Sequence, residues 1–492
     1  MLFGQCSRTW RGEVDSVSVY DWTSKETQIN LSRTEERVAD LERRSHVMHR
    51  VSIRVLAMIP VLALIFGVGP ASAKVVITYY HRSNTTEVEW ANAVIERFNA
   101  QHPDIEVQSL PSGTGGGARY AEKLALLRAS DTAPDVFFGS TDKLGFILNG
   151  WTLDLTPYVE RDREQLQMDT FFPGVWESFT REGRIHGVPL TVTPQFVFYN
   201  KDMFQTSGLP FLPVSWEDLS WTWDQFVEYS RKLVRYNPDG SAAQLALTQA
   251  TESQLPDVVW MFGGDWFDDE AYRTGRAERS TFYRPENIEA YTAVRDYYAQ
   301  FAAAGQPKGL VADDFMTGAI AMDWIGAWKM NNYFEAERSG GMGFNWGMAP
   351  VPLAASRENT RWTDPLYISS TTEHPDAAWE FVKFATSDEA QSLWATLTGK
   401  IPARISSVDA YVDGVAASSG MSAEEIITAV SGALAHSRTS LEESVADVQL
   451  EIRAFRSEFI ESMLAGERPI ESTLEAFDAL LNAKLAEWNQ NR

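Results

Sequence analysis

Cysteine is almost missing: the 492 residues contain one, Cys6. No intrachain disulfide can form, and no thiolate set is available for a structural zinc. A chain this long can build its core without staples, so the shortage fits a reducing compartment or an exported protein alike. Positive charge is also short, with 43 Lys and Arg against 67 Asp and Glu and a formal net charge of −24. A broad nucleic-acid surface or an anionic-membrane surface needs a basic patch, so neither partner is expected. Internal repeats and low-complexity linkers are absent as well. What is present is an ordinary globular balance of 44% hydrophobic and 22% charged residues. At about 100–200 residues per domain, the length suggests two to four domains or lobes.

The one long apolar run, Val55 to Val68, falls short of the ~20 residues of a membrane-spanning helix. Arg50 and Arg54 precede it, and Ala71-Ser72-Ala73 follows as a small-x-small cleavage site. Residues 48–73 therefore read as a secretory signal. No cysteine follows the run, so a bacterial lipid anchor is not available there. The expected product is soluble, periplasmic and begins at Lys74. The 47 residues before Met48 are polar, with no sustained apolar period. They read as the product of a wrongly chosen start, or else as a long, unusual leader. Residues 1–73 hold nine basic and eight acidic residues, so the acidity belongs to the remainder.

From Lys74 the pattern alternates. Val75 to Tyr80 is a β-rich run. Thr86-Glu87-Val88-Glu89 reads as a capping box, and Val88, Ala91, Ile95 and Phe98 share one helical face. Pro103 ends that helix, and Ile105 and Val107 alternate as a strand. A helix over about 120–129 and a strand over 135–138 follow. Strand, helix, strand, helix, strand predicts an α/β fold with a parallel sheet. Further helices are expected over 223–234 and 285–303, with two more near the end. Of these last two, Leu474, Phe477, Leu481, Leu485 and Trp488 mark the second.

Several pieces are ordered as in a known family. These are FNAQHPDIEV (98–107), KLALLRASDTAPDVFF (123–138), IHGVPLTVTPQFVFYNKDMFQTSGLP (185–210), FMTGAIAMDWIGAW (315–328), HPDAAWEFVKFATSDEAQ (374–391) and LAGERPIESTLEAF (464–477). In this order, and after a signal, the chain resembles the extracellular solute-binding proteins of ABC transporters, the maltose-binding type. The resemblance implies two α/β lobes joined by crossing segments, with the ligand in the cleft and a hinge that closes on it. Lobe one would use 74–192 and 347–386, and lobe two 193–346 and 387–492. The implied function is capture of a carbohydrate, from mono- to oligosaccharide or a polyol, for delivery to the membrane permease subunits. A monomer without cofactor or metal is expected.

A sugar site needs aromatic platforms beside a few polar groups. In the family's fourth stretch the loop after the strand points into the cleft, and here it carries Trp324, Gly326 and Trp328. Trp328 occupies the family's aromatic position. Gly264, Asp265 and Trp266 form a turn-prone segment with an aromatic beside a carboxylate. Ligands of open α/β sheets sit beyond the strands' carboxyl ends. That rule selects Tyr80, His81 and Arg82 after the first strand and Asp142 after the third, and the family has a sugar-binding carboxylate at the Asp142 position. Gln195 lies in a crossing segment. Trp362, Asp364 and Tyr367 lie in a polar loop leading to a strand. Where relatives often have an aromatic just before the Asp142 position, this chain has Gly139. Together with Arg82, which could pair with a carboxylate or phosphate, this keeps acidic sugars and glycerol phosphate esters open as ligands.

Gly113 to Gly117 lacks the G-K-[ST] ending of a phosphate loop and reads as a surface loop. Asp268-Asp269-Glu270 lacks calcium-loop spacing and reads as an acidic turn. His81 and His186 have no H-x3-H partner. Two other functions stand beside transport: an exported carbohydrate-active enzyme, and a binding protein that serves as a sensor input or adhesin.

Overall fold

The computed structural model describes residues 74–490, apart from 114–115, 140–141, 240–241, 248–257, 302–314, 446–454, 456–458, 460 and 465. The signal-like segment 48–73 and the stretch before it lie outside the described residues. Among the described residues no helix is long and apolar enough to cross a membrane.

The first βαβαβ run forms as its pattern predicts. Strand β1 (Val75–His81) is followed by helix α1 (Thr85–Gln101), strand β2 (Ile105–Pro111), helix α2 (Gly116–Ala129) and strand β3 (Val136–Phe138). β1 pairs in parallel with both β2 and β3. The start of α1 departs from the capping-box reading. Its N-cap is Asn84, which makes no side-chain cap bond. Thr86 lies inside the first turn and donates from Oγ1 to Asn331 Oδ1 at 2.6 Å. The buried face carries Trp90, Ala91, Val94, Ile95 and Phe98, while Val88 is only half-buried. Glycines 116 and 117, read as part of a loop, already belong to α2.

Two long strands organise the rest. Strand β4 (Gly187–Asn200) is buried along all fourteen residues. It precedes β5 (Ala242–Leu247), β6 (Ile320–Gly326), β7 (Trp346–Ala349), β8 (Asn359–Ile368) and β9 (Ser437–Thr439). The sheet runs β2-β1-β3-β8-β4-β6-β5, then a two-residue strand at Arg235–Tyr236, with β7 on β4 and β9 on β8. β4 pairs antiparallel with β8 through residues 187–194 and antiparallel with β6 through 195–199. One strand thus changes partner between Pro194 and Gln195. The Gln195 N–H is met there by the Asn359 side chain at 3.3 Å, and Asn359 also donates to Ala433 O. The region 362–367, read as a loop leading to a strand, lies wholly within strand β8. A bulge at Asp364/Pro365 absorbs the proline, which cannot donate to a ladder.

The helix at Asp388–Thr398 packs on α1. Trp394 meets the Trp90 ring edge-on at 5.0 Å, and Trp90 donates to Ala390 O at 2.8 Å. This segment therefore lies against the β1–β3 side, although the sequence reading groups it with the other lobe.

Candidate functional site

Register alone gathers several of the expected residues. Side chains alternate along a strand, and directly opposed residues of an antiparallel pair share a face. Opposite pairs are Asp364 with Thr191, Trp362 with Thr193, Gly326 with Gln195, and Trp324 with Val197. Thr191, Thr193, Gln195 and Val197 alternate along β4. Asp364, Trp362, Gln195 and Trp324 therefore lie on one face, centred where β4 changes partner.

Trp328 reaches that face from the single turn after β6. Its ring folds back over Gly326, where a Cβ would sit 1.9 Å from a ring carbon. Glycine is required there by contact, not by backbone angle. Trp328 and Trp362 meet edge-on at 4.8 Å and 82°, and both rings stay partly exposed. Trp324 donates from its indole N–H to Gln195 Oε1 at 3.2 Å. The Gln195 Nε2 group is buried with no hydrogen-bond partner, as is the Thr363 hydroxyl. A buried, unpaired amide donor costs about 1–3 kcal/mol, which a bound acceptor would recover.

A chain of charges borders the tryptophans. Lys143 opens the helix α3 (Lys143–Leu148) and is 4% exposed. Its ammonium bonds Asp364 Oδ1 at 2.6 Å and also contacts Glu443. Arg82 lies 3.6 Å from Asp364 Oδ2, 3.7 Å from Glu87 and over the Phe138 ring at 5.0 Å. Lys400 pairs with Glu87 on the far side. Three cations thus face three carboxylates. Burial pulls the Lys143 ammonium down, but Asp364 and Glu443 outweigh it and hold its pKa above the ordinary value. Burial pushes the Glu443 carboxyl up to about 7, against the attraction of Lys143.

Other expected residues take interior places. Tyr80 is fully buried, meets the Tyr120 ring at a tilt with centroids 4.5 Å apart and donates to Tyr120 O. The His81 ring bridges Arg82 O at 2.7 Å and Ser109 Oγ at 2.8 Å, and burial lowers its pKa. Tyr367 is buried against Phe137 and Phe179. It also explains Gly139, where a Cβ would fall 2.5 Å from Pro365 Cδ and 2.8 Å from the Tyr367 ring. The space an aromatic side chain would need at 139 is already filled from β8. Asp142 sits in the left-handed region at φ 58° before α3, with its carboxylate packed over Gly145.

Gly264, Asp265 and Trp266 belong to a separate cluster. Trp266 is a core residue among Phe282, Phe455 and Phe477. A Cβ at Gly264 would collide with Asn287. Asp265 accepts from Trp260 Nε1, Trp266 N, Tyr272 and Arg438. Asp268 caps the helix Asp269–Thr274 through Ala271 N–H, so the acidic turn is a helix start. Among the described residues no group of three metal-ligating side chains occurs.

Sequence reasoning missed Lys143, Glu443, Glu87, Lys400 and Asn359. Lys143 adjoins Asp142 and was within reach. Glu443 lies 300 residues from Lys143, and no local pattern links them.

Residues 82–392 match the family of bacterial extracellular solute-binding proteins. The chain belongs to that family. It is 24% identical over 341 residues to the maltotriose-binding protein of Pyrococcus abyssi. That alignment spans 67% of this chain and 66% of the relative, just under two thirds of its length. An ABC substrate-binding protein of Listeria monocytogenes in complex with cycloalternan superposes with a TM-score of 0.68 and 21% identity, covering 84% of this chain and 99% of that one. UgpB of Mycobacterium tuberculosis in complex with glycerophosphocholine gives 0.66 and 19%, covering 84% and 98%. Those likenesses establish the two-lobed periplasmic-binding-protein fold. In this solute-binding protein β4 is the long strand shared between the two groups of strands.

Proposed function

We propose that this protein is the solute-capturing component of an ABC importer, exported through a cleaved signal at 48–73, which binds an uncharged carbohydrate and delivers it to membrane permease subunits. The observation that carries the reading is the face at the partner switch of β4. It combines a partly exposed tryptophan pair, the unpaired Nε2 of Gln195 and the Asp364 carboxylate. Aromatic planes suit the C–H faces of a sugar, and amide and carboxylate suit its hydroxyls. Trp324, Trp328, Trp362, Gln195, Asp364 and Arg82 are the residues assigned to the ligand.

The charge balance favours an uncharged ligand. Arg82 and Lys143 both lie against protein carboxylates, so an acidic sugar or phosphate ester would have to displace Asp364 or Glu87. A binding role is favoured over a glycosidase. A glycosidase needs two carboxyl groups free to act on either side of the bond to be cut, whereas Asp364 and Glu443 are both engaged by Lys143. The maltotriose-binding relative is likewise named for binding. For the lobes, we assign β1–β3, the first half of β4 and the helix 388–398 to lobe one. The second half of β4 with β5, β6 and β7 goes to lobe two.

The test is a thermal-shift screen with maltose, maltotriose, mannitol and glycerophosphocholine. A ligand at a hundredfold excess over Kd stabilises the fold by about 2.7 kcal/mol. A shift with a neutral sugar or polyol is expected. A shift with glycerophosphocholine alone, or with none of the four, overturns the reading.

A further inference from the structure

Glu443 lies outside the groups assigned to the ligand, yet it contacts Lys143, which bonds Asp364, and the Thr363 N–H, which lies between Trp362 and Asp364 in the chain. Strand β8 pairs with β3 only from Leu366 onward, and with β9 only up to Arg361. Between those neighbours the Thr363 N–H has no strand to bond. The Glu443 carboxylate accepts it, at 3.2 and 3.3 Å to its two oxygens. The same carboxylate contacts the Lys143 ammonium, whose other partner is Asp364 Oδ1. Glu443 is itself fixed. Arg181 donates to its carbonyl at 3.0 Å, and its N–H donates to Ser440 Oγ at 3.3 Å at the start of the helix Leu441–Ser444.

We propose that Glu443 is a positioning residue for ligand binding: its carboxylate stands in for the missing strand beside β8 and shares Lys143 with Asp364, setting the orientation and charge that Asp364 presents to an uncharged ligand. This rests on the carbohydrate reading of the cleft. An ionised Glu443 divides the lysine's charge between two carboxylates, so Asp364 keeps acceptor strength for a hydroxyl. A protonated Glu443 leaves Lys143 to Asp364 alone and frees one tie on β8.

The charged and titratable groups facing Glu443 are Lys143 from α3, Arg361, Asp364 and Tyr367 from β8, and Arg181 from the segment before β4. Burial and Asp364 oppose its ionisation, while Lys143 and the Thr363 N–H favour it. The balance places its proton exchange near neutral pH, so affinity for an uncharged sugar falls as the pH drops below about 7.

The experiment is titration calorimetry of the full chain with maltotriose and mannitol as probes, at pH 8 and 5.5, on wild type and Glu443→Gln. Wild type is expected to bind a probe several-fold more weakly at pH 5.5. Glu443→Gln keeps an acceptor for Thr363 but cannot ionise, so it should bind more weakly than wild type at pH 8 and show no such slope. The same slope in both proteins overturns the assignment alone, since His81 or another group would then be responsible. A flat wild-type profile overturns it without recourse to the variant, should Glu443→Gln fail to fold. Binding of neither probe at either pH overturns the carbohydrate reading and this assignment together.

Discussion

Trp328 shows how much a single residue's surroundings decide. Its ring is seated by the absence of a side chain at Gly326 and braced edge-on by Trp362. Truncation removes a platform without opening the main core, because the ring is already partly exposed. Trp328→Ala is therefore expected to weaken carbohydrate binding by about tenfold or more, a loss of about 1.4 kcal/mol, while the melting temperature without ligand moves little. Calorimetry with the sugar that gives the largest thermal shift checks this, and unchanged affinity would remove Trp328 from the site. Trp266 is the contrasting case. A tryptophan beside a carboxylate and two glycines looks like a cleft residue in one dimension. In three dimensions it is enclosed by Phe282, Phe455 and Phe477, two of them some 190 or more residues away in sequence.

At the scale of elements, β4 carries the architecture. Its fourteen residues are all buried, the polar Gln195 and Asn200 included, and its change of partner breaks the ladder at Gln195. Asn359 closes that break by accepting the Gln195 N–H and donating to Ala433 O. Asn359→Ala would leave both groups buried without this partner, at a cost of about 1–3 kcal/mol each. We expect a clear loss of stability in urea unfolding with unchanged m-value, and weaker ligand binding because Gln195 loses its seat. Stability equal to wild type would show that water or a shifted ladder replaces the asparagine. The β4 strand was legible as the crossing segment within 185–210 that the family resemblance implies. Strand β8 was only half legible, because Thr363-Asp364-Pro365 carries polar residues and a proline that mark loops. A bulge, a lysine and a glutamate from elsewhere in the chain make it a strand.

For the whole molecule, two groups of strands share β4, and the proposed site lies on the face where β4 changes partner. Contacts such as Trp328 with Trp362 and Thr86 with Asn331 link residues assigned to opposite lobes. A ligand that bridges the lobes favours the closed arrangement by as much as its affinity differs between open and closed states. Small-angle scattering should therefore show a smaller radius of gyration once the sugar identified in the screen saturates the protein. An identical scattering curve with and without bound sugar would argue against hinge closure.

The sequence by itself determined the α/β class, the order of the first five elements, the family resemblance and the segments from which Trp328, Trp362, Asp364 and Gln195 come. These follow from local periodicity and from motifs in a given order, which survive in one dimension. Only the tertiary structure decided which candidates meet. Register put four of them on one face, core packing withdrew Tyr80, Tyr367 and Trp266, and the pairing of Lys143 with Glu443 supplied charges that no spacing foretells. Burial and ion pairing depend on what the chain brings back from hundreds of residues away, and that information resides in the fold.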